Sequence, residues 1–223
     1  GNGIKTVLYD SKCDIVQIPS IAIHMERDIN DGHKYGVQKE LMPVLGNDGA
    51  DFKERLAKDI GIKKEDIYGA DLFLYNRQEP TLWGDKEQFL GGPRFDDLEC
   101  VYAALCGIIK AAPQKQMSVM AVFDNEEVGS GTKQGADSTF LTDTLKRAAG
   151  SLRMGEEQFS RMAAASLMLS ADNAHGYHPN YPEKADENNR PHLNKGIVIK
   201  YSANQKYTTD GSSAAAFKLV CEK

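Results

Sequence analysis

Three places in this chain put carboxylates where they could act together. The first is Asp124-Asn125-Glu126-Glu127-Val128-Gly129-Ser130-Gly131. Its two adjacent glutamates follow residues 117–123, a mostly apolar and β-branched run that reads as a buried strand. The chain then turns through two glycines, which sets the glutamates at a strand end, the edge where α/β sheets hold their ligands. Consecutive side chains point in different directions. One carboxylate can therefore bind a metal while its neighbour moves a proton, the division of labour that metal-assisted hydrolysis needs. The second place is Arg94-Phe95-Asp96-Asp97-Leu98, at the opening of a helical pattern, where acidic residues are also ordinary caps. The third is Asp172, at the end of a short apolar run, within Ser170-Ala171-Asp172-Asn173-Ala174-His175.

A bare Glu-Glu pair is most simply a solvated acidic turn. The buried run before it and the further acidic ends change that weighting. Carboxylates gathered at one sheet edge repel each other, and a divalent cation is the natural compensation. With oxygen and imidazole ligands, zinc, manganese and cobalt all suit such a site. Two metals about 3.5–4 Å apart can share a bridging carboxylate and activate a water. Of the histidines His24, His33, His175, His178 and His192, the pair His175 and His178 stands nearest to Asp172 in sequence. His178 precedes Pro179 in a turn and reads as structural.

The elements that must position these residues follow from periodicity and punctuation. Residues 6–9, 15–19 and 20–25 read as strands, and residues 28–36 as a polar loop. Phe52, Leu56 and Ile60 recur at helical spacing, with Gly61 placed to cap the helix C-terminus. Residues 67–75 read as a strand. Residues 78–92 carry Pro80, Gly84, Gly91 and Gly92 and mark the best domain boundary. Beyond it, Leu98, Val101, Leu105, Ile108 and Ile109 share one helix face, which Pro113 ends. Helices are expected near residues 138–149 and 156–165, and over 212–220. Strands are expected at 117–123, 167–171 and 197–201, with a long polar segment over 173–195. This order predicts a layered α/β sheet.

Composition bounds the function. The chain has 223 residues, 41% of them hydrophobic, enough to bury a sizeable core. Its 32 acidic and 27 basic residues give a net charge of -5 without a basic block, which argues against nucleic acid and anionic membrane as partners. No apolar run approaches the roughly 20 residues of a membrane helix, and no signal-peptide pattern opens the chain. Cys13, Cys100, Cys106 and Cys221 are scattered with no zinc-binding spacing; Cys100 and Cys106 read as buried thiols. A reducing cytoplasm fits this usage.

At these residues the chain resembles the aspartyl aminopeptidase family of dinuclear zinc metallopeptidases. The resemblance rests on Ile18-Pro19-Ser20-Ile21-Ala22-Ile23-His24, Pro93-Arg94-Phe95-Asp96-Asp97-Leu98, Asp124 through Ser130, Ser170 through Tyr181 with its His-Pro-Asn-Tyr ending, and Lys195-Gly196-Ile197-Val198-Ile199-Lys200. It implies an α/β zinc-peptidase sheet with helices, present in part, and an inserted β-rich dimerisation domain. Residues 1–88 would belong to the insertion and residues 89–223 to the central part of the catalytic domain. It implies removal of N-terminal acidic residues from peptides, with two divalent metals, and assembly as dimers and dodecamers. By position, Asp96 would bridge the metals, Glu127 and Asp172 would each bind one, and Glu126 would be the general base. His175, Lys200 and Tyr207 would lie around the substrate. His24 would reach from the dimerisation domain into the neighbouring subunit's active site.

Two departures accompany the resemblance. Asp97 stands where the family motif carries Asn, which bears on metal preference and on which Asp bridges. The chain also matches only a middle portion of a family member. The histidine-bearing segments that complete the metal site fall outside it, so the fragment alone is expected to be inactive. Two other readings stay open: a related two-metal deacylase or carboxypeptidase, and a non-catalytic assembly module. Lys200 and the motif from Asp172 to Tyr181 favour the aminopeptidase.

Overall fold

The computed structural model describes residues 3–112 and 115–222. The chain mixes helix and sheet and divides into two compact units, Gly1–Pro93 and Arg94–Lys223. No helix among the described residues is long and apolar enough to cross a membrane.

In the first unit, helix α1 (Val37–Glu40) is a single turn and α2 (Phe52–Ile60) is the longer element. The bounds of α2 follow from its ends. The Asp51 side chain accepts from the Glu54 N–H at 3.0 Å, an N-cap worth about 1 kcal/mol. Gly61 takes the left-handed conformation at φ 72°, and the Ile62 N–H returns to the Ala57 carbonyl at 3.0 Å, closing the helix as the sequence predicts. Leu56 and Ala57 are buried on this helix. Tyr9 donates to Asp59 at 2.6 Å, Tyr75 to Asp10 at 2.5 Å and Arg77 to Asp14 at 2.7 Å, drawing distant segments together.

The segment read as a boundary holds a hairpin, and the first unit ends directly after it at Pro93. Strands β1 (Thr81–Trp83) and β2 (Phe89–Gly91) pair antiparallel, with Trp83 opposite Phe89. Their rings stack at 4.6 Å, and Gly84 turns the chain at φ 96°. The glycines that suggested a linker are the turn and edge positions of this hairpin.

The second unit carries most of the helix: α3 (Phe95–Lys110), α4 (Phe140–Ser151), α5 (Glu156–Ala164) and α6 (Gly211–Cys221). All four lie where periodicity puts them. Pro113, expected to end α3, lies outside the described residues. Helix α6 starts on a reciprocal cap. The Ser213 N–H donates to Asp210 at 2.7 Å, and the Asp210 N–H donates to the Ser213 hydroxyl at 3.0 Å. Glu157 and Arg161 pair one turn apart on α5 at 2.7 Å.

The strand expectations fare differently. Among the described residues, none of 6–9, 15–19, 20–25, 67–75, 117–123, 167–171 and 197–201 forms a ladder. Gln17 and Val44 make one isolated antiparallel bridge. Residues 20–25 instead turn, with the Met25 N–H bonded to the Ala22 carbonyl at 2.8 Å. β-branched and aromatic composition favours a pleated surface, but a ladder also needs a neighbour within about 4.8 Å. That neighbour is remote in sequence, so no local pattern specifies it. The side chains stay open: Val119 is 53%, Leu169 65% and Ile197 74% exposed. The core that composition allows is correspondingly small, and the buried hydrophobic residues among those described are Leu56, Ala57, Ala149 and Ala214.

The polar loop of residues 28–36 is ordered by a clasp. It holds a 3-10 turn, Ile29–Asp31, ended by Gly32 at φ 112°. His33 then stands between two carboxylates, with Nδ1 at 2.7 Å from Glu26 and Nε2 at 2.8 Å from Glu40. Glu40 also accepts from the Gly36 N–H, which fastens α1. A ring with a carboxylate on each nitrogen holds both protons. Burial works against that charge, but Glu40 and Glu26 outweigh it and lift His33 above its ordinary 6.5. The Gly36 N–H outweighs burial and, with His33, holds Glu40 below its ordinary 4.5. The His33 contribution is therefore full below pH 6.5 and lost as pH rises through the raised value. The Glu40 contribution is full above pH 4.5 and lost as pH falls through the lowered value. We expect an NMR titration of His33 with its midpoint above 6.5, moved down by Glu40→Gln. A wild-type midpoint at or below 6.5 would contradict the clasp.

Candidate metal centre

The site is built on the irregular start of α3. Arg94 takes a positive φ of 66°, and Asp96 (φ -83°, ψ 112°) and Asp97 (φ -117°, ψ 24°) depart from helical geometry. The peptide bond between them is cis. Asp172 comes from the segment that follows residues 167–171. One ligand atom each from Asp96, Asp97 and Asp172 all lie within 4.8 Å of one another.

Three carboxylates at that spacing repel one another. Burial raises the Asp96 carboxyl above its ordinary 3.8, and Asp172, Asp97 and Glu127 push it the same way. Asp97 is half-buried, and its Oδ1 is fully shielded from water without a hydrogen-bond partner. Lys200 Nζ stands 2.5 Å from Asp172 Oδ2 and donates to the Asn173 carbonyl at 2.8 Å. Burial opposes its charge, but Asp172 outweighs it and raises the ammonium above its ordinary 10.5, so Lys200 stays protonated at neutral pH. Its Nζ also lies 5.7 Å from the centre of the Tyr207 ring. Lys200 is therefore already engaged with Asp172. A shielded carboxylate oxygen without a donor, beside two further carboxylates, is a donor set that fits a divalent cation.

Glu126 and Glu127 sit exposed in a turn held by its flanks. The Asp124 N–H donates to the Gln134 carbonyl at 3.1 Å, and the Asp137 N–H to the Ser130 carbonyl at 3.1 Å. Asn125 adopts φ 64° and its amide donates to Thr132 Oγ1 at 3.1 Å. Gly129 turns at φ 112°, and at Gly135 any Cβ would overlap the Ser130 backbone, so no larger residue fits this closure. Of the residues singled out by sequence, Asp96, Asp172, Lys200 and Tyr207 come together, and the charge of Glu127 is felt at Asp96. His175 is exposed in the same unit, as is Glu126. His24 belongs to the first unit and occupies an exposed turn. His178 accepts from the Asn180 N–H at 3.2 Å, the turn role read for it.

The sequence reading missed Asn173 and Glu99. The Asn173 amide donates to Glu99 at 3.0 Å and accepts from the Cys100 thiol at 3.2 Å, tying the residue after Asp172 to the start of α3. The partners are 74 and 73 residues apart, so no local pattern carries the link. A shallow depression lined by Arg190, His192 and Lys195 contains none of the cluster carboxylates.

Residues 2–223 match the family described as aminopeptidase I zinc metalloprotease (M18). The chain is 43% identical over 223 residues to the "Probable M18 family aminopeptidase 2" of Clostridium acetobutylicum, an alignment covering 97% of this chain and 52% of that protein. It is 38% identical over 226 residues to the protein of the same name from Pseudomonas fluorescens strain Pf0-1, covering 98% and 52%. The chain thus spans about half the length of the curated relatives it matches. Among solved structures it is similar to a chain in the cryo-EM structure of the Ape4 and Nbr1 complex, with a TM-score of 0.79 and 30% identity over 93% of this chain and 45% of that one. It is also similar to the crystal structure of prApe1, with a TM-score of 0.78 and 26% identity over 100% of this chain and 52% of that one. A third is the S. cerevesiae mApe1 dodecamer, with a TM-score of 0.73 and 25% identity over 93% and 48%.

Cys100 gives a direct test of the electrostatics. Burial and the adjacent Asp97 carboxylate push its thiol up to about 12. At pH 8 about one such thiol in 10⁴ is ionised, and the thiolate is the reactive form. In a native alkylation experiment read by mass spectrometry, the exposed Cys13 and Cys221 should label while Cys100 stays unmodified until the protein is denatured. Native labelling of Cys100 at the rate of Cys221 would contradict the arrangement.

Proposed function

Because this chain belongs to the aminopeptidase I (M18) zinc metalloprotease family, we propose that the whole protein is a metallo-aminopeptidase that removes N-terminal Asp and Glu residues from peptides. The observation that carries this reading is the convergence of ligand atoms from Asp96, Asp97 and Asp172 within 4.8 Å of one another. In the proposed assignment Asp96, Glu127 and Asp172 would hold two divalent cations. Zinc is the first candidate, with manganese and cobalt as alternatives. Zinc held there supplies a Lewis acid for the scissile carbonyl and makes water a competent nucleophile near neutral pH.

The remaining work falls to this chain's own side chains. Glu126 is exposed and stands outside the carboxylate cluster, so it is free to take a proton from the attacking water and return it to the leaving amine. Lys200, charged at neutral pH and held beside Tyr207, supplies the positive charge that an acidic side chain on the substrate would meet. His175, exposed in the same unit, is assigned to the substrate side of the site. Residues 1–88 are assigned to an inserted dimerisation domain and residues 89–223 to the catalytic domain. Self-association is part of the proposal, supported by a dodecamer among the similar structures. A cytoplasmic location is the compartment its cysteine usage suits.

The first test is hydrolysis of Asp-, Glu- and Leu-arylamides by the whole protein, with and without chelator. Activity should favour the acidic pair and disappear on chelation. Glu126→Gln should keep the metals and lose a factor of about 10²–10⁴ in rate, whereas Glu127→Gln should lower metal content. Near-normal turnover by the Glu126 variant would remove it from the mechanism.

His24 is assigned to the partner subunit's active site, donating a hydrogen bond to the substrate carbonyl as charge builds on its oxygen. Such donors are worth about 2.7–4 kcal/mol elsewhere. Mixing inactive His24→Phe and Glu126→Gln subunits under exchanging conditions should restore a fraction of wild-type activity. Mixed dimers that stay inactive, or a fully active His24→Phe protein, would return His24 to a structural role.

A further inference from the structure

The shallow depression on residues 188–198 has the opposite charge character from the metal centre. It offers about 310 Å³, the lower end of the range for ligand pockets. Arg190, His192 and Lys195 line it, Ile197 and Val198 add apolar surface, and no Asp or Glu contributes. The chain carries a net charge of -5, so acidic partners for these groups are plentiful, yet none is placed here. Asp186 is occupied within its own loop, accepting from the Asn188 and Asn189 N–H groups at 2.9 and 2.8 Å. Among the described residues neither Arg190 nor Lys195 forms an ion pair with a carboxylate.

The cations are also held in place. The Arg190 guanidinium lies over the Tyr177 ring at 5.1 Å, and the His192 ring stands 5.2 Å from the same ring. The Tyr177 N–H donates to the Pro191 carbonyl at 2.7 Å, fixing that ring beneath its partners. A stacked guanidinium keeps its N–H fork in a set plane, the geometry that receives a carboxylate through two bonds. Lys195 is brought round by a turn in which its N–H donates to the His192 carbonyl at 3.3 Å. The depression adjoins the metal centre along the chain. Val198 is two residues from Lys200, and Tyr177 is two from His175. Lys195 and Lys200 are joined by at most about 18 Å of backbone.

Resting on the aminopeptidase reading above, we propose that this depression binds a carboxylate of the peptide substrate downstream of its N-terminal residue. Arg190 takes the carboxylate in its fork, Lys195 adds a second charge, and His192 donates from a ring nitrogen. An extended peptide advances about 3.3 Å per residue, so one starting beside Lys200 reaches the depression within about six residues. An acidic side chain and the terminal carboxylate of a short peptide both offer this chemistry.

The test uses the whole protein and hexapeptide amides that begin with Asp. One set carries a single Glu at the third to sixth position, a second carries Gln there, and a third is the Gln set with a free terminal carboxylate. Wild type should show a KM about fivefold lower for Glu than for Gln at one position or two adjacent ones, the upper end for an exposed ion pair. A gain confined to the third set would assign the site to the peptide terminus instead of a side chain. In Arg190→Gln and Lys195→Gln the Glu-to-Gln KM ratio should fall to one, whereas Arg190→Lys keeps part of it. Added salt should shrink the wild-type ratio, which gives the same reading if the variants fail to fold. The same peptides with a dye on the amine cannot be turned over and report binding by fluorescence anisotropy, with inorganic phosphate as competitor. If Asp-arylamide is hydrolysed but no carboxylate lowers KM at any position, the aminopeptidase reading stands and the depression's role is overturned. Phosphate binding without peptide binding overturns it as well. If Asp-arylamide is not hydrolysed while the dye-labelled Glu peptide binds in preference to Gln and loses this in Lys195→Gln, the carboxylate site stands and the aminopeptidase reading fails.

Discussion

The structure around the candidate site is governed by repulsion among like charges brought to short range. Asp96, Asp97 and Asp172 are held together by a scaffold that gains nothing from their mutual interaction. The compensations are visible. Lys200 is drawn onto Asp172, Tyr207 lies against Lys200, and Asn173 bonds across to Glu99 and Cys100. The Asp96 carboxyl is raised first by burial and then by the neighbouring carboxylates that these contacts do not cancel. A fold that evolved only for stability would separate these groups. Their concentration is the physical reason for reading the place as a site for cations.

Much of the helical structure was legible because its signals are local. Phe52, Leu56 and Ile60 set the face of α2 and Gly61 its C-terminal end, all within one short stretch, while the Asp51 cap is seen only in the structure. Helix α6 was expected over residues 212–220, and the structure adds its cap between Asp210 and Ser213. The hairpin β1–β2 was hidden because its glycines also mark a boundary, and only the pairing of Trp83 with Phe89 reveals it. The expected strands share a different difficulty. Residues 117–123 and 167–171 have the composition of strands, but pairing is a relation between distant segments. Their side chains remain largely open.

The site was legible residue by residue but not as a network. Glu127 and Asp172 stand out by residue type and by their place at the ends of apolar runs, whereas Asp96 stands at a helix opening and owes its assignment to the resemblance. That Asp97 has an oxygen without a partner depends on which donors the fold has already committed elsewhere, and composition holds no record of that. The bond from Asn173 to Glu99 spans 74 residues and reaches the first turn of a helix whose opening dihedrals are irregular. An acidic pair there looks like ordinary capping until the backbone shows Asp96 and Asp97 outside helical geometry.

The stack of Trp83 on Phe89 has a practical consequence. Trp83 is the only tryptophan in the chain, and it belongs to the first unit. Its indole emission therefore reports the hairpin, whereas most of the far-ultraviolet ellipticity comes from α3 to α6 in the second unit. The two optical signals look at different halves of the molecule. Followed together through a denaturant titration, they read out whether the halves melt as one cooperative body or in succession.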